Sequence, residues 1–521
     1  MAKFTALPKG VSEQSFASAI QEWRVLLGQD QVRTEPGALE PYLSGPITQG
    51  EEARVPSAVV FPASEKQVQS VVAVANKYKT PLWPCYGGEN EGYGRSTPAT
   101  RGQVIVDLRR MRKIVEVDRE LGYCLVEPGV TYGELQQHLK SSGANLWLDA
   151  PAASAGVSVV GSILERGSGY TPYSEEFLFS CGMEVVLGSG SLLRTGMGGI
   201  QRSTSWQVFK WGFGPYVDGL FSQGNNGIVT KLGTWLMGAP PPGGYKPFCV
   251  RLPRASMIGD AIRPLMFLRQ SQIVPNAVAI ANAGWDAAMS LAGGGGRGGG
   301  FVNEVGRVIP TGTLMERYGV GAWNLYGAVY GSPEQVALNW KYVEGTFRQA
   351  FGGEVRIVTE DQAQGDPAFQ LRKQLMMGET TAANPLDRWR PGGASMRFSA
   401  TASARPGECA DQVKLASEIV NRHGFDYLAE LSFFWRDARH VVDVRYDPGK
   451  ADEAKRAHGC LEELGEAFAR HGWGVNRAHV AFMDQVAESY GPAMRRLNRT
   501  IKRALDPNNI VAPGKSGIDL S

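Results

Sequence analysis

An α+β fold in two domains is predicted from three observations. Short apolar strands alternate with amphipathic helices across residues 1–240. A stiff-then-flexible stretch, Ala239-Pro240-Pro241-Pro242-Gly243-Gly244, then interrupts the pattern. Beyond it a second series of apolar strands and long helices begins. At 521 residues the chain exceeds one ordinary core and suits two or three.

Each element has a local reason. Residues 12–28 carry Phe16, Ile20, Trp23 and Leu26 at helical spacing and predict an amphipathic helix. Ala58-Val59-Val60-Phe61-Pro62 is a short buried strand. Ser64-Glu65 opens a helix over 64–78 with Val68, Val71, Val72 and Ala75 inward. Pro81-Leu82-Trp83-Pro84 is strand-like, and residues 104–108 and 123–127 are further strands. Thr131 with Glu134 three residues on has capping-box spacing. This alternation marks an α/β region. In the second half, residues 277–283 and 323–330 are apolar strands, with helices near 333–351 and 409–423. The glycine-rich run from Ala292 to Gly300 reads as a mobile surface loop, because no strand precedes it to build a phosphate cradle.

Three glycine-rich turns stand out: Gly87-Gly88-Glu89-Asn90-Glu91-Gly92-Tyr93-Gly94, the run Gly161 to Tyr173, and Ser222 to Val229. Glycine lacks Cβ and tolerates positive φ, so backbone there can approach a ligand closely. Any one of them fits an ordinary turn. Together they suggest one long ligand rather than a single phosphate.

Composition narrows the function. A net charge of +3 without a basic run argues against nucleic-acid binding. Cys85, Cys124, Cys181, Cys249, Cys409 and Cys460 have no CxxC spacing, so they read as reduced core thiols. No CxxCH occurs to carry a c-type haem. No stretch approaches the roughly 18 apolar residues of a membrane helix. The N-terminus lacks the basic start and apolar core of a signal peptide, which predicts a cytoplasmic protein, or a periplasmic one if a partner chain carries it across.

The chain resembles the p-cresol methylhydroxylase and vanillyl-alcohol oxidase family of FAD enzymes. The likeness runs through Leu7-Pro8-Lys9-Gly10-Val11, Glu127-Pro128-Gly129-Val130-Thr131, Glu165 to Tyr173 and Arg194-Thr195-Gly196-Met197-Gly198-Gly199. It continues through Gly321-Ala322-Trp323-Asn324-Leu325-Tyr326 and the segment from Asp506 to Ile518. The resemblance implies a discontinuous FAD domain around an inserted α/β cap: residues 1–240, a cap over 241–475, and a returning segment over 476–521. It implies oxidation of a 4-alkylphenol (p-cresol, 4-ethylphenol, eugenol or a larger lignin- or lignan-type phenol). Hydride would leave the benzylic carbon for FAD, and water would add to the resulting para-quinone methide. Electrons would pass to a c-type cytochrome, either a subunit or soluble cytochrome c, in a homodimer or an α2β2 flavocytochrome. An oxygen-using 4-hydroxybenzyl alcohol or eugenol-type oxidase is the alternative.

Carried over by motif, Gly87, Gly88, Glu89, Asn90, Gly92, Pro151, Gly161, Ser162, Glu165, Arg166, Gly167, Gly169, Tyr170, Gly227, Ile228 and Val229 should line the cofactor. Glycine amides there can donate to phosphate oxygens. Lys515 falls where the family places a cation near the flavin pyrimidine. Tyr93 and Arg477 match its phenolate-binding pair, a hydrogen bond beside a permanent charge. The departures matter as much. Asn476 replaces a tyrosine, which predicts a roomier pocket. Arg397 and Arg439 stand where an aromatic ring and a histidine occur. Glu430, His440 and Asp443 keep their places, with Arg439, Asp443 and Glu430 forming either part of the catalytic machinery or a structural salt bridge. Ala152-Ala153-Ser154-Ala155 occupies the region of the oxidase aspartate, which favours a dehydrogenase. Asp387 and Ser395 occupy the two covalent-anchor positions, where the family has tyrosine or histidine. Asp387 is either the site of an 8α-O-aspartyl link, since carboxylates are competent nucleophiles, or a surface residue beside noncovalent FAD.

Overall fold

A computed structural model of the chain describes residues 4–44, 54–87, 91–292 and 308–520. The loop expected over Ala292 to Gly300 falls outside these residues from 293 on. The N-terminal helix is Glu13–Leu27, with the Ser12 side chain accepting from the Ser15 N–H. Phe16, Ile20 and Trp23 are buried as the periodicity requires, but Leu27 completes the apolar face and Leu26 points outward. Leu27 lies four residues after Trp23 and continues the stripe, whereas Leu26 sits a third of a turn away from it. The helix Glu65–Tyr78 packs Val68, Val71, Val72 and Ala75 inward under a Ser64 cap. Thr131 and Glu134 form the complete reciprocal capping box of the helix Tyr132–Ser141.

Two larger sheets and a two-stranded ribbon, Leu146–Trp147 against Met237–Gly238, build the first half. One has the order Val32–Arg33, Ala58–Val60, Val104–Asp107, Leu82–Cys85, with its last three strands parallel. Those strands are buried at every position but Pro84, as in a sheet covered on both faces. The other is antiparallel, in the order Ile114–Asp118, Tyr123–Val126, Gly227–Trp235, Ser180–Leu187, Leu192–Arg194. The second half is built on an eight-stranded antiparallel sheet: Arg356–Thr359, Tyr245–Leu252, Trp323–Tyr330, Val278–Asn282, Leu428–Phe433, Asp437–Tyr446, Ala394–Ser403, Val475–Arg477. The helices Pro333–Phe351 and Pro406–Arg422 bury their apolar stripes in its neighbourhood. Among the described residues no helix is long and apolar enough to cross a membrane. All six cysteines are buried and free.

Register in this sheet decides which side chains share a face. Arg397 lies opposite Asp443, Ser399 opposite Arg477, Glu430 opposite Val441, and Ser432 opposite Arg439. Opposed residues point the same way, and so do residues two apart. One polar face therefore carries Arg397, Ser399, Glu430, Ser432, Arg439, Asp443, Arg445 and Arg477. His440 falls on the other face, in the core.

The C-terminal residues reach back to the first sheet. Leu82 N–H donates to Ile510 and Ala512 N–H donates to Leu82, each at 2.7 Å. Lys502, fully buried, ties this segment down: its Nζ donates at 2.6 Å to the carbonyls of Asn225 and Val511 and to the Asp506 carboxylate. Removing one partner of such a pair strands the other charge in the interior. Lys502→Ala should therefore lower the unfolding free energy by about 3–5 kcal/mol, read as a drop in denaturant midpoint. An unchanged midpoint would show that the pair contributes nothing.

Candidate functional site: a cationic cleft

Between the loops of the first half and the polar face of the large sheet lies a cleft of about 230 Å³. One wall comes from Trp83–Tyr86, Tyr93, Pro151–Ala153 and the turn at Ser158–Tyr170. The other comes from Arg397, Ser399, Glu430, Ser432, Arg439, Val441, Asn476 and Arg477, and Lys515 reaches in from the C-terminal segment.

At one point of the cleft the Arg477 guanidinium sits over the Tyr93 ring, 4.2 Å from its centroid. Tyr93 ends the short turn Glu91–Tyr93, and the Gly92 Cα lies against the Arg397 stem, so closely that a Cβ there would come within 2.6 Å of Arg397 Cγ. Asn476 is held from both ends. Its Oδ1 accepts from Ser399 Oγ at 2.6 Å and its carbonyl from Gln223 Nε2 at 2.8 Å. The glutamate at the turn, Glu165, pairs with Lys515 at 2.5 Å. Burial alone would raise its pKa, but Lys515, Arg477 and Arg166 outweigh burial and hold it below the ordinary carboxylate range. Arg166 takes a left-handed backbone (φ 54°), an uncommon conformation for a side-chain-bearing residue, and donates from Nε to Ser222 Oγ at 3.0 Å.

The expected salt bridge among Arg439, Asp443 and Glu430 does not form; three separate networks stand in its place. Arg439 pairs with Glu175 at 2.9 Å and lies over the Phe434 ring. Asp443, fully buried, accepts from Ser395 Oγ at 2.9 Å and Arg397 Nε at 2.6 Å, and pairs with Arg445, whose Nε lies 2.7 Å away. Burial would raise its pKa; Arg445 and Arg397 together keep it below the usual value, so it serves as a fixed anion. Glu430 accepts from Tyr170 Oη at 2.9 Å and Ser432 Oγ at 3.0 Å and pairs with Arg372 at 2.6 Å. The separation follows from register, which sets Asp443 opposite Arg397 and Arg439 opposite Ser432. His440 makes a 2.7 Å contact from Nε2 to Tyr427 Oη, and burial pushes its pKa down to about 3. It is a neutral core residue.

Of the cofactor positions, Pro151, Gly161, Ser162, Glu165, Arg166, Gly167, Tyr170 and Lys515 line the cleft. Gly87 has a φ of 98° that glycine alone adopts readily, beside Ser158 in the cleft wall. Gly88, Glu89 and Asn90 lie outside the described residues. Gly169 is glycine for a packing reason, since a Cβ would overlap Asp149 and come 2.6 Å from the Ala150 carbonyl. Gly227, Ile228 and Val229 are not in the cleft wall. Gly227 lets the strand approach Val185, and Ile228 is a core residue. Val229 touches the site only through its N–H to Tyr86 Oη at 3.2 Å. Asp387 is also outside the wall, with a side chain 53% exposed and Oδ1 2.8 Å from Arg445 Nη1. Trp285 and Arg372, the first in the cleft wall and the second behind it, carry no motif and only tertiary contact reveals them.

The donor set suits an anionic dinucleotide. Arg166, Arg397, Arg439, Arg477 and Lys515 supply charge, Ser158 and Ser162 supply hydroxyls, and the carboxylates Glu165 and Glu430 are each paired to a cation. Guanidinium forks and hydroxyls are the usual partners of phosphate and carbonyl oxygens.

Comparison with known proteins agrees with this chemistry. Residues 56–196 match the profile of the FAD binding domain, and residues 317–516 that of the C-terminal domain of FAD linked oxidases. The flavoprotein subunit of 4-cresol dehydrogenase (hydroxylating) from Pseudomonas putida is 44% identical over 519 residues, covering 99% of this chain and 98% of that one. The crystal structure of p-cresol methylhydroxylase with substrate bound superposes with a TM-score of 0.94, at 43% identity and 99% coverage of both chains. A 4-ethylphenol oxidase from Gulosibacter chungangensis, solved as its isoeugenol complex, gives 0.91 at 34% identity, covering 98% of this chain and 99% of that one.

Gly169→Ala should push the Asp149 and Ala150 backbone away from the turn. Overpacking of this kind costs about 1–3 kcal/mol, and flavin content per chain, read from the ratio of visible to ultraviolet absorbance, should fall with it. A fully loaded, equally stable variant would contradict the packing argument.

Proposed function

The chain belongs to the p-cresol methylhydroxylase flavoprotein family of FAD-dependent oxidoreductases, and from that premise we propose that it oxidises 4-alkylphenols at the benzylic carbon. The observation that carries this reading is the Arg477 guanidinium over Tyr93, with Arg397 beside them on the same cleft face. Ionising the phenol supplies the electron push that weakens the benzylic C–H bond, so the protein's first task is to hold a phenolate. Arg477 supplies a permanent charge and Tyr93 Oη a hydrogen bond to that oxygen. FAD, when bound, supplies the two-electron acceptor. Gly161, Ser162, Glu165, Arg166 and Lys515 are the residues that would hold it. The cleft wall holds the phenol ring in one orientation, a positional contribution beside the electrostatic one. Water then adds at the oxidised carbon.

Electrons leave to a c-type cytochrome in this reading, in a homodimer or an α2β2 assembly; the relative from Pseudomonas putida is itself described as a subunit. The 34% identity to a 4-ethylphenol oxidase favours oxygen as the second acceptor to test. Substrate-reduced enzyme mixed with cytochrome c or with oxygen separates the two by which reagent restores the flavin colour at a catalytic rate.

Asn476 replaces a ring, and its amide is drawn to Ser399 Oγ, so phenols bulkier than p-cresol, such as eugenol or a lignan, are accommodated. The Arg397 and Arg439 stems take part of that space. Asp387 would tether the cofactor through an 8α-O-aspartyl ester. Its link to Arg445, and through Asp443 to Arg397, connects it to the cleft.

Two expected outcomes follow from these roles. Arg477→Ala should lose phenol oxidation while keeping its flavin, at a cost of about 2–4 kcal/mol, or roughly 30- to 1,000-fold in kcat/KM. Tyr93→Phe should lose less. Wild-type kcat/KM in Arg477→Ala would refute the phenolate site. For the tether, acid-precipitated protein should stay yellow and lose the colour to hydroxylamine, which cleaves esters. Intact mass should show one FAD in the wild type and none in Asp387→Ala. Release of all flavin on simple denaturation would exclude the ester.

A further inference from the structure

We propose that Asp286, buried outside the cleft, is a positioning residue that acts through Arg372 on the cleft carboxylate Glu430 to set how readily Glu430 takes a proton during benzylic oxygenation. The proposal rests on the 4-alkylphenol reading above and deepens it. Two carboxylates line the cleft among the described residues, Glu165 and Glu430. Glu165 is committed to Lys515 and held below the usual carboxylate range, so it is a poor proton acceptor. Glu430 is the other. When water adds to the oxidised substrate, its oxygen bonds the benzylic carbon. The exocyclic double-bond pair moves into the ring and regenerates the phenolate, and the proton that the water sheds goes to Glu430.

Behind Glu430 lies a closed array. Arg372, with a side chain 1% exposed, places Nη2 2.6 Å from Glu430 Oε2 and 3.7 Å from Asp286 Oδ1. Its guanidinium lies 5.5 Å from the Tyr170 ring and 5.1 Å from the Tyr326 ring. Each tyrosine donates to one carboxyl group: Tyr170 Oη to Glu430 at 2.9 Å, Tyr326 Oη to Asp286 at 2.6 Å. Two buried carboxyl groups thus share one buried cation. A site with that balance favours one bound proton, because a second uncompensated anion in the interior is costly. The other titratable groups that reach Asp286 are Asp366, itself paired with Arg251, and the buried thiol of Cys249.

The sign follows from the sharing. Burial raises the Asp286 pKa to about 7, with Arg372 and the Tyr326 hydrogen bond pulling it back. Below that pH Asp286 is neutral and the Arg372 charge is committed to Glu430. Above it Asp286 is charged and competes for the guanidinium, which leaves the Glu430 carboxylate less compensated. Capture of the oxidised substrate by enzyme-activated water should therefore increase as pH rises through about 7.

The test uses the FAD-loaded enzyme and p-cresol in water containing methanol. Anaerobic stopped-flow bleaching of the flavin reports substrate oxidation. The ratio of benzylic alcohol to methyl ether reports how often the enzyme's own water captures the oxidised substrate before it escapes. In the wild type this ratio should rise roughly three-fold or more between about pH 6 and about pH 8. Asp286→Asn should hold it flat at the low-pH value, with bleaching within about two-fold of wild type. Tyr326→Phe, which removes a hydrogen bond that lowers the Asp286 pKa, should move the inflection to higher pH. It also decides the matter if Asp286→Asn does not retain flavin. A wild-type pH rise in Asp286→Asn, or an unmoved inflection in Tyr326→Phe, overturns the proposal while normal bleaching leaves the phenol reading intact. No bleaching of wild-type enzyme by any 4-alkylphenol sinks both.

Discussion

A guanidinium group taken out of water must be paired, and the cleft of this protein is assembled around that requirement. The wall contributed by the large sheet carries Arg397 and Arg439, with Arg445 and Arg372 behind it, and each is neutralised by a specific carboxylate: Asp443, Glu175, Asp443 again, and Glu430. An isolated buried charge is expensive, whereas a paired and hydrogen-bonded one is tolerated and becomes rigid. The carboxylates therefore fix where the arginines point. Arg477 differs, since its guanidinium lies over the face of the Tyr93 ring, with the nearby Glu165 already paired to Lys515. Its charge remains available to an incoming anion, and that availability separates a binding group from a structural one.

Rigidity of this kind also explains the glycines around the cleft. Gly92 is glycine because the Arg397 stem of the opposing wall occupies the space a Cβ needs, and Gly169 because Asp149 and the Ala150 carbonyl of its own wall do. Close approach of backbone to protein is the shared device, and the same turns leave hydroxyls and cations exposed to a long anionic cofactor. The left-handed backbone at Arg166 fits the pattern of local strain concentrating where function needs geometry.

Local rules read the scaffold well. The Thr131–Glu134 capping box, the Ser64 cap and the apolar strands found at Ala58–Val60 and Trp323–Tyr330 were visible because each depends on neighbours within a few positions. Leu26 and Leu27 show the limit of that reading, for both fit a loose apolar stripe and packing alone selects Leu27. Family motifs found Tyr93, Arg477 and the turn at Glu165. What neither route could supply was the register of the eight-stranded sheet. Whether Arg439 meets Asp443 or Glu175 depends on pairing between strands far apart in sequence, and so does the burial of His440 on the opposite face. Trp285 and Arg372 lie in helices whose sequences look like ordinary core, and their place at the cleft is a tertiary fact.

The central claim is that this cleft binds a phenol as its anion. A 4-halophenol has no benzylic carbon to oxidise and changes its ultraviolet spectrum on ionisation, so it reports its own charge when bound. Titrated into the FAD-loaded protein near pH 7, it should show the phenolate band, although a free phenol of tyrosine type ionises only near about pH 10. The band should vanish in Arg477→Ala. Binding as the neutral phenol, with an unshifted spectrum in the wild type, would contradict the account.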